Sequence, residues 1–267
     1  MLFCPLCSGS SGNASFLEAE GRRFLIDAGL TRKRIAALLE SIGVPLHTID
    51  AVFLTHEHVD HVAGAGVLAR AHHIPVYAAA DCFSALPPSV GEIPAACMRV
   101  FEPDREFFCG KVRVLPFSTP HDAAHAVGYS FMAEGRKVTV MTDVGHVDDR
   151  LLTQLSGSDL VLLEANHDVD MLLAGPYPYP LKQRILSRRG HLCNEDYAKA
   201  LRTLVESGTR AVFLAHLSQD NNLPELAYNT VCGALTEAGC AVGTDVRVSV
   251  ARRDCVSDML VLSSDAV

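Results

Sequence analysis

The stretch Thr55-His56-Glu57-His58-Val59-Asp60-His61 directly follows the apolar run Ala51-Val52-Phe53-Leu54. A buried strand therefore delivers three imidazoles and a carboxylate to its own C-terminal end. Neutral imidazole and carboxylate are good ligands for zinc, manganese or iron. His56 and His58, two apart, project the same way from an extended turn, whereas Asp60 and His61 open the next helix and point elsewhere. One ion could not readily use all four; two neighbouring ions could. A solvated loop with scattered histidines does not account for four ligand-type residues at this spacing behind a strand.

The same grammar recurs along the chain. Ala14 to Ala19 and Arg22 to Ile26 read as a β-hairpin around Glu20-Gly21, and the second strand runs into Asp27. Val112 to Phe117 leads to His121. Val127 to Met132 and Lys137 to Met141 form another pair around Glu134-Gly135, ending in Thr142-Asp143. Leu160 to Leu163 leads into Glu164-Ala165-Asn166-His167-Asp168, and Ala211 to Ala215 into His216. Further strands are expected at Pro75 to Ala78 and Arg99 to Phe101. Helices fill the gaps: one capped by Thr31, with Ile35, Leu38, Leu39 and Ile42 on one face and Gly43 closing it; one from His61 to about His72; one capped by Asn194; and one after Asn222 that stops near Gly239. Strands alternating with helices predict a layered α/β protein.

Composition bounds the remaining choices. The chain of 267 residues is 49% hydrophobic and 20% charged, enough for one folded domain over 1–267 with a sizeable core. No stretch approaches the ~18 apolar residues of a membrane span, and the start Met1-Leu2-Phe3-Cys4-Pro5 has no basic, long-apolar leader pattern. Nine cysteines without framework spacing fit reduced thiols, so a cytoplasmic protein with no membrane partner is expected. Cys4-Pro5-Leu6-Cys7 has no second Cys-x-x-Cys to complete a zinc knuckle and reads as two small residues of a first strand. A net charge of -8 argues against a wholly basic surface, leaving room for a local basic patch. Ser8-Gly9-Ser10-Ser11-Gly12-Asn13 is a turn whose exposed N–H groups can hold a phosphate.

Taken in order, Asp27, His56, His58, Asp60, His61, His121, Asp143 and His216 resemble the five-motif signature of the metallo-β-lactamase-fold hydrolases. The resemblance covers almost the whole chain. It implies a four-layer αββα sandwich with a dinuclear metal site at one edge of the two sheets. His56, His58 and His121 would hold one ion, Asp60, His61 and His216 a second, with Asp143 bridging and Asp27 orienting ligands from behind. Two ions sharing a water make a bridging hydroxide available near neutral pH, so hydrolysis is the reaction class.

Within that superfamily, Glu164-Ala165-Asn166, Gly190-His191-Leu192-Cys193 and His216-Leu217-Ser218 resemble ribonuclease Z in order, which implies that His191 faces the scissile phosphate. The Asp143 to His216 interval is too short for the inserted domain of β-CASP nucleases. The Ser8 to Asn13 loop, Thr142-Asp143-Val144-Gly145, the Glu164 to Asp168 block, Gly175-Pro176-Tyr177-Pro178-Tyr179-Pro180 and Asn221-Asn222 resemble the YycJ/WalJ-like branch. Cys193 and Ala126 depart from it, where a small hydroxyl residue and a proline are expected. Members are regarded as cytoplasmic DNA exonucleases, which implies DNA as substrate. Asp60, Asp143 and His191 are then the candidate catalytic residues, and Asn13, His167, Arg188 and Arg189 candidate substrate contacts. Lys182, Arg184, Arg188 and Arg189 crowd before His191 and could neutralise a phosphate backbone, while Tyr177 and Tyr179 could stack on terminal bases. The competing readings are a small-molecule cyclic phosphodiesterase, a glyoxalase II-type thioesterase and a non-catalytic metal-binding module. Neither strand preference nor oligomeric state leaves a mark in the sequence.

Overall fold

A computed structural model describes residues 1–263; the single domain expected over 1–267 extends across 264–267, which lie outside the described residues. The first half of the chain contributes β1 (Leu2–Cys7), β2 (Ala14–Ala19), β3 (Arg22–Ile26), α1 (Arg32–Ser41), β4 (Ala51–Phe53), α2 (Val59–Val62), α3 (Ala65–His72), β5 (Val76–Ala79), α4 (Ala80–Ala85) and β6 (Met98–Phe101). It is followed by β7 (Phe107–Cys109), β8 (Val112–Ser118), β9 (Val127–Ala133), β10 (Arg136–Met141), α5 (Asp149–Leu155), β11 (Leu160–Glu164) and α6 (Val169–Ala174). The last part contributes α7 (Tyr179–Ile185), α8 (Asn194–Glu206), β12 (Ala211–Ala215), α9 (Pro224–Glu237), β13 (Arg247–Val250) and β14 (Leu260–Val261).

The strands form two seven-stranded sheets, ordered β14-β1-β2-β3-β4-β5-β6 and β13-β12-β11-β10-β9-β8-β7. Each is half antiparallel and half parallel, with β3 to β6 parallel in one and β10 to β13 parallel in the other. The β2–β3 and β9–β10 hairpins turn on Glu-Gly pairs with two consecutive left-handed residues, Glu20 (φ 51°) with Gly21 (φ 69°) and Glu134 (φ 56°) with Gly135 (φ 71°). That is the turn whose twist matches right-twisted strands.

Side-chain alternation decides what each sheet face covers. Along β11 and β12, Leu160, Leu162 and Phe213 pack between the sheets, whereas Val161, Leu163, Val212 and Leu214 face outward onto Leu151 and Leu155 of α5, Leu201 and Leu204 of α8, and Val231 and Leu235 of α9. These strands bury both faces and so read as unbroken apolar runs. Ile35, Leu38 and Leu39 of α1 and Leu68 of α3 cover the first sheet. The two mixed sheets with helices outside are the expected αββα sandwich. Aromatic rings join the sheets across the middle: Phe53 meets Phe131 at 5.2 Å and Tyr129 at 5.6 Å, and Phe3 meets Phe213 at 6.1 Å.

Three expectations need correction. The helix from His61 to His72 is two, α2 and α3, because the Gly64 amide turns away to the Ala28 carbonyl (2.8 Å) and fixes the loop after β3. Asn194 is not a cap: Cys193 occupies that position, and the Asn194 side chain is buried against Asn222 (3.1 Å). Strands β7, β13 and β14 escaped the sequence reading, being only two to four residues long.

Phe53 is fully buried, touches aromatic rings of both sheets and stands three residues before His56. Phe53→Ala should destabilise the protein by about 3–5 kcal/mol in guanidinium denaturation and Phe53→Leu by less than about 1.5 kcal/mol. Similar midpoints for wild type and Phe53→Ala would show that this contact does not tie the sheets together.

Candidate metal centre

All the strand-end residues converge on one edge of the sandwich. Because β3 and β4 are parallel, and β8, β10, β11 and β12 run the same way in the second sheet, their C-terminal ends open onto a common crevice. Asp27, Asp143 and His216 each leave their strand in the left-handed backbone region, at φ 61°, 54° and 54°. Such strain persists only where surrounding bonds fix it. Here they do: the Asp27 amide donates to the Phe53 carbonyl (2.8 Å), the Val144 amide to Glu164 Oε2 (2.9 Å), and the His216 amide to Ser8 Oγ (2.8 Å).

The imidazoles and carboxylates fall into two main groups whose candidate ligand atoms lie within 4.8 Å of one another: His56, His58 and His121; and Asp60, His61 and His216. Asp143 reaches both, with Oδ2 3.1 Å from His61 Nε2 and Oδ1 3.8 Å from His121 Nε2. The rings are aimed from behind. Thr55 Oγ1 bonds His56 Nδ1 (3.0 Å), Asp27 Oδ2 accepts from His61 Nδ1 (2.7 Å), the Gly190 carbonyl accepts from His121 Nδ1 (3.1 Å), and Glu164 Oε1 accepts from His216 Nδ1 (2.7 Å). Each outer bond leaves Nε2 facing the centre, the arrangement by which carboxylates and carbonyls fix the tautomer of a metal-binding histidine. The Nε2 atoms of His56, His121 and His216 and Oδ2 of Asp143 are buried and accept or donate no hydrogen bond. Four buried, unanswered polar atoms gathered at the floor of one site fit divalent metal, the partner this donor set lacks.

The protonation of the metal-free centre gives the same picture. Burial drives His56 well below the ordinary imidazole value. Burial also opposes charge on His61 and His216, but the Asp143 carboxylate, aided by Asp27 at His61 and by Asp60 and Glu164 at His216, outweighs it and holds both rings above that value. Asp143 is correspondingly held well below the usual carboxylate range against its burial by His216 and His61. The centre of the site thus favours positive charge.

Glu164 is a residue that the sequence reading quoted without giving it a role. Fully buried, it accepts from His216 Nδ1 and from His191 Nδ1 (2.8 Å) through Oε1, and from two backbone amides through Oε2. A carboxylate closing an apolar strand was the available signal. Asn166, whose side chain donates to the His216 carbonyl (2.9 Å), and Asn222, which donates to the Ala165 and Asn166 carbonyls, were likewise without a role. Close approach explains one glycine: a Cβ at Gly29 would stand 1.6 Å from the Asp60 carbonyl, so the loop after β3 can lie against the α2 turn only without a side chain.

Beside the metal groups lies a cleft of about 220 Å³ whose lining includes Asp60, Asp143, His191 and His216 together with Ser10, Tyr177, Arg184 and Ser218. The four predicted substrate contacts are placed elsewhere. Asn13 bonds the ligands themselves, its Nδ2 lying 3.1 Å from His61 Nε2. His167 is buried, with both ring nitrogens unpartnered, and burial lowers it to about 4. Arg189 donates twice to the His121 carbonyl (3.0 and 2.8 Å), and Arg188 contacts His146 Nε2 (2.6 Å) beside a different cavity. Of the basic cluster only Arg184 lines the cleft, paired with Asp122, while Lys182 is bound to the Leu173 and Gly175 carbonyls. Tyr177 lines the cleft and donates to Asp220; Tyr179 is exposed.

The description "Beta-lactamase superfamily domain" fits residues 22–217 of the chain. The exodeoxyribonuclease YycJ of Bacillus anthracis is 39% identical over 241 residues, covering 90% of this chain and 91% of that protein. The exodeoxyribonuclease WalJ of Streptococcus pneumoniae serotype 2 (strain D39) is 40% identical over 245 residues, 91% of each. Among solved structures, the metallo-β-lactamase fold protein YhfI of Bacillus subtilis shares the fold at a TM-score of 0.70 and 20% identity, over 96% of this chain and 98% of that one.

Replacing Glu164 tests the orientation of the ligands directly. Glu164→Gln removes the charge and one of the two acceptor oxygens that two imidazole N–H groups and two backbone amides share, and should weaken divalent-metal affinity by about 10–100-fold. Competition against a chromophoric chelator measures it; unchanged affinity would mean that Glu164 does not position the metal-facing rings.

Proposed function

The chain belongs to the metallo-β-lactamase superfamily and, within it, to the YycJ/WalJ family, and from that membership and the site geometry we propose that it is an exodeoxyribonuclease using two divalent ions. The observation that carries the two-ion reading is the position of Asp143, whose carboxylate approaches histidines of both ligand groups at once. His56, His58 and His121 would hold one ion and Asp60, His61 and His216 the other, with Asp143 shared and Asp27 orienting His61. This mixture of imidazole and carboxylate suits zinc, manganese or iron. Bound there, the ions supply an activated water and neutralise charge at phosphorus.

The chain's own residues supply the rest. Asp60 and Asp143 border the cleft and orient the attacking water. His191 gives its Nδ1–H to Glu164, so Nε2 is the nitrogen that faces a bound phosphodiester from the cleft wall, and it delivers a proton to the departing oxygen. The Glu164 and Asp143 carboxylates outweigh burial and raise the His191 value, which keeps that proton available. Arg189 acts as a positioning residue through the His121 backbone, and Asn13 through His61. Arg184 and Tyr177 also line the cleft. Nine free thiols are consistent with work in the cytoplasm, and no helix among the described residues is long and apolar enough to cross a membrane.

End-labelled single-stranded and duplex DNA, assayed with manganese or zinc beside bis-p-nitrophenyl phosphate, tests the proposal. Nucleotides should be released from an end, and Asp143→Ala should leave less than about a tenth of kcat, a barrier increase above ~1.4 kcal/mol. His191→Ala should slow DNA cleavage by roughly 10² to 10⁴, with a much smaller loss on the diester, whose nitrophenolate departs without a proton. A wild-type protein that hydrolyses the diester and leaves DNA intact would move the assignment to a small-molecule phosphodiesterase.

A further inference from the structure

The metal cleft does not end at its own walls. Ser218 lines it and also lines a second cavity of about 560 Å³, bordered by Leu217, Leu223 and the segment from Val250 to Cys255. Pro224 and Val250 carry this cavity into a third, of about 340 Å³, that reaches Tyr228 and Asn229 on α9. The three adjoin one another through these shared residues, which sets a groove leading from Asp60 and His216 past the start of α9.

The middle of this groove is its basic part, between the carboxylates of Asp60 and Asp143 at the cleft end and that of Glu225 at the far end. The protein carries a net charge of -8, yet the middle of the groove presents Arg252 and Arg253 with Asp254 as the neighbouring acid. Among the described residues neither arginine forms an ion pair with a carboxylate. Arg253 is half-buried: Nη2 donates to the Leu217 carbonyl (2.6 Å), next to the ligand His216, while Nη1 has no acceptor. Its guanidinium lies flat against the Ser8 to Asn13 loop, where a Cβ at Gly9 (φ 151°) would come within 2.8 Å of Nη1. The glycine therefore admits the cation to the edge of the metal cleft. Burying a cation without a counter-charge is unfavourable unless an anion is brought to it. Beyond the arginines, Leu223 is 54% and Tyr228 37% exposed, so the groove offers apolar faces after the positive ones. A cationic stretch followed by apolar and aromatic faces suits a single nucleic-acid strand, whose phosphates and bases can meet them in turn.

We infer that this groove carries the DNA strand leading away from the scissile phosphate, with its first phosphates held by Arg252 and Arg253 and its following bases against Leu223 and Tyr228. The inference rests on the exonuclease reading and adds to it the path of the retained strand. Ser10 and Ser218 form the threshold between the cleft and the groove.

Binding of a phosphorothioate-linked oligothymidylate to the metal-loaded protein across a salt series tests the path, with degradation of the ordinary oligothymidylate and of a dinucleotide measured alongside. Arg252 is exposed, and its side chain makes no hydrogen bond among the described residues, so Arg252→Ala is the deciding variant. It should lower the slope of log affinity against log salt by about 0.7, the share of one phosphate contact on a single strand. Tyr228→Ala should weaken binding by about tenfold with the salt slope retained. Both should narrow the preference for the oligonucleotide over the dinucleotide. Arg253→Gln should lower the slope as Arg252→Ala does, with thermal melting run to separate charge loss from loop damage. Wild-type slope and affinity in Arg252→Ala and Tyr228→Ala, in a protein that does degrade DNA, would overturn the groove assignment alone. A wild-type protein that neither binds nor degrades the oligonucleotide would overturn the exonuclease reading, and the groove assignment with it.

Discussion

Three carboxylates, Asp27, Asp143 and Glu164, lie buried at one edge of the sandwich among the buried imidazoles of His56, His61, His121 and His216. Removing that many ionisable groups from water is costly unless each finds a partner. Asp27 and Glu164 find theirs in ring N–H groups and backbone amides, and so fix the rings. Asp143 is left with rings approaching from both groups and an oxygen that accepts nothing. The fold thus spends its outer carboxylates on orientation and leaves the inner one for metal. Much else follows from keeping that edge intact: left-handed strand exits, the Gly29 contact on the Asp60 carbonyl and asparagines that brace the ends of β11 and β12.

What was legible in the sequence follows from how local each signal is. The His-x-His-x-Asp-His box could be read because a strand end and a helix start place all its members by local geometry. His121, Asp143 and His216 could be read only as strand-end residues in a sequence of motifs; their convergence depends on two sheets meeting, which no local pattern encodes. The strands buried on both faces announced themselves as apolar runs, whereas β7, β13 and β14, at or beside sheet edges and only two to four residues long, carry too few side chains for a period to show.

The basic cluster illustrates the opposite failure. Lys182, Arg184, Arg188 and Arg189 are close in sequence, and sequence proximity suggests a shared surface. A helix followed by a tight turn scatters them instead: Arg189 to the His121 backbone, Arg188 toward His146, Lys182 onto two carbonyls and Arg184 alone into the cleft. Composition reports how much charge a segment has, and hydrogen-bonding geometry decides how much of it remains to meet a ligand. Gly145 shows how closely that turn is packed, since a Cβ there would come 2.4 Å from the Arg188 carbonyl.

Arg252 and Arg253 gave no comparable sequence signal, although the structure sets them in the groove that opens from the cleft. The candidate metal ligands all fall within residues 22–217, the part that matches the superfamily domain, whereas the loop at Ser8 to Asn13 and the segment around Arg253 lie outside it. Those two segments are joined to each other: the Ser8 amide donates to the Arg252 carbonyl (3.0 Å), the Ser257 amide to the Pro5 carbonyl (2.9 Å), and β14 pairs with β1. Ser8 in turn accepts from the amide of His216. A wall built from outside the matched region is thus bonded directly to a metal-ligand backbone.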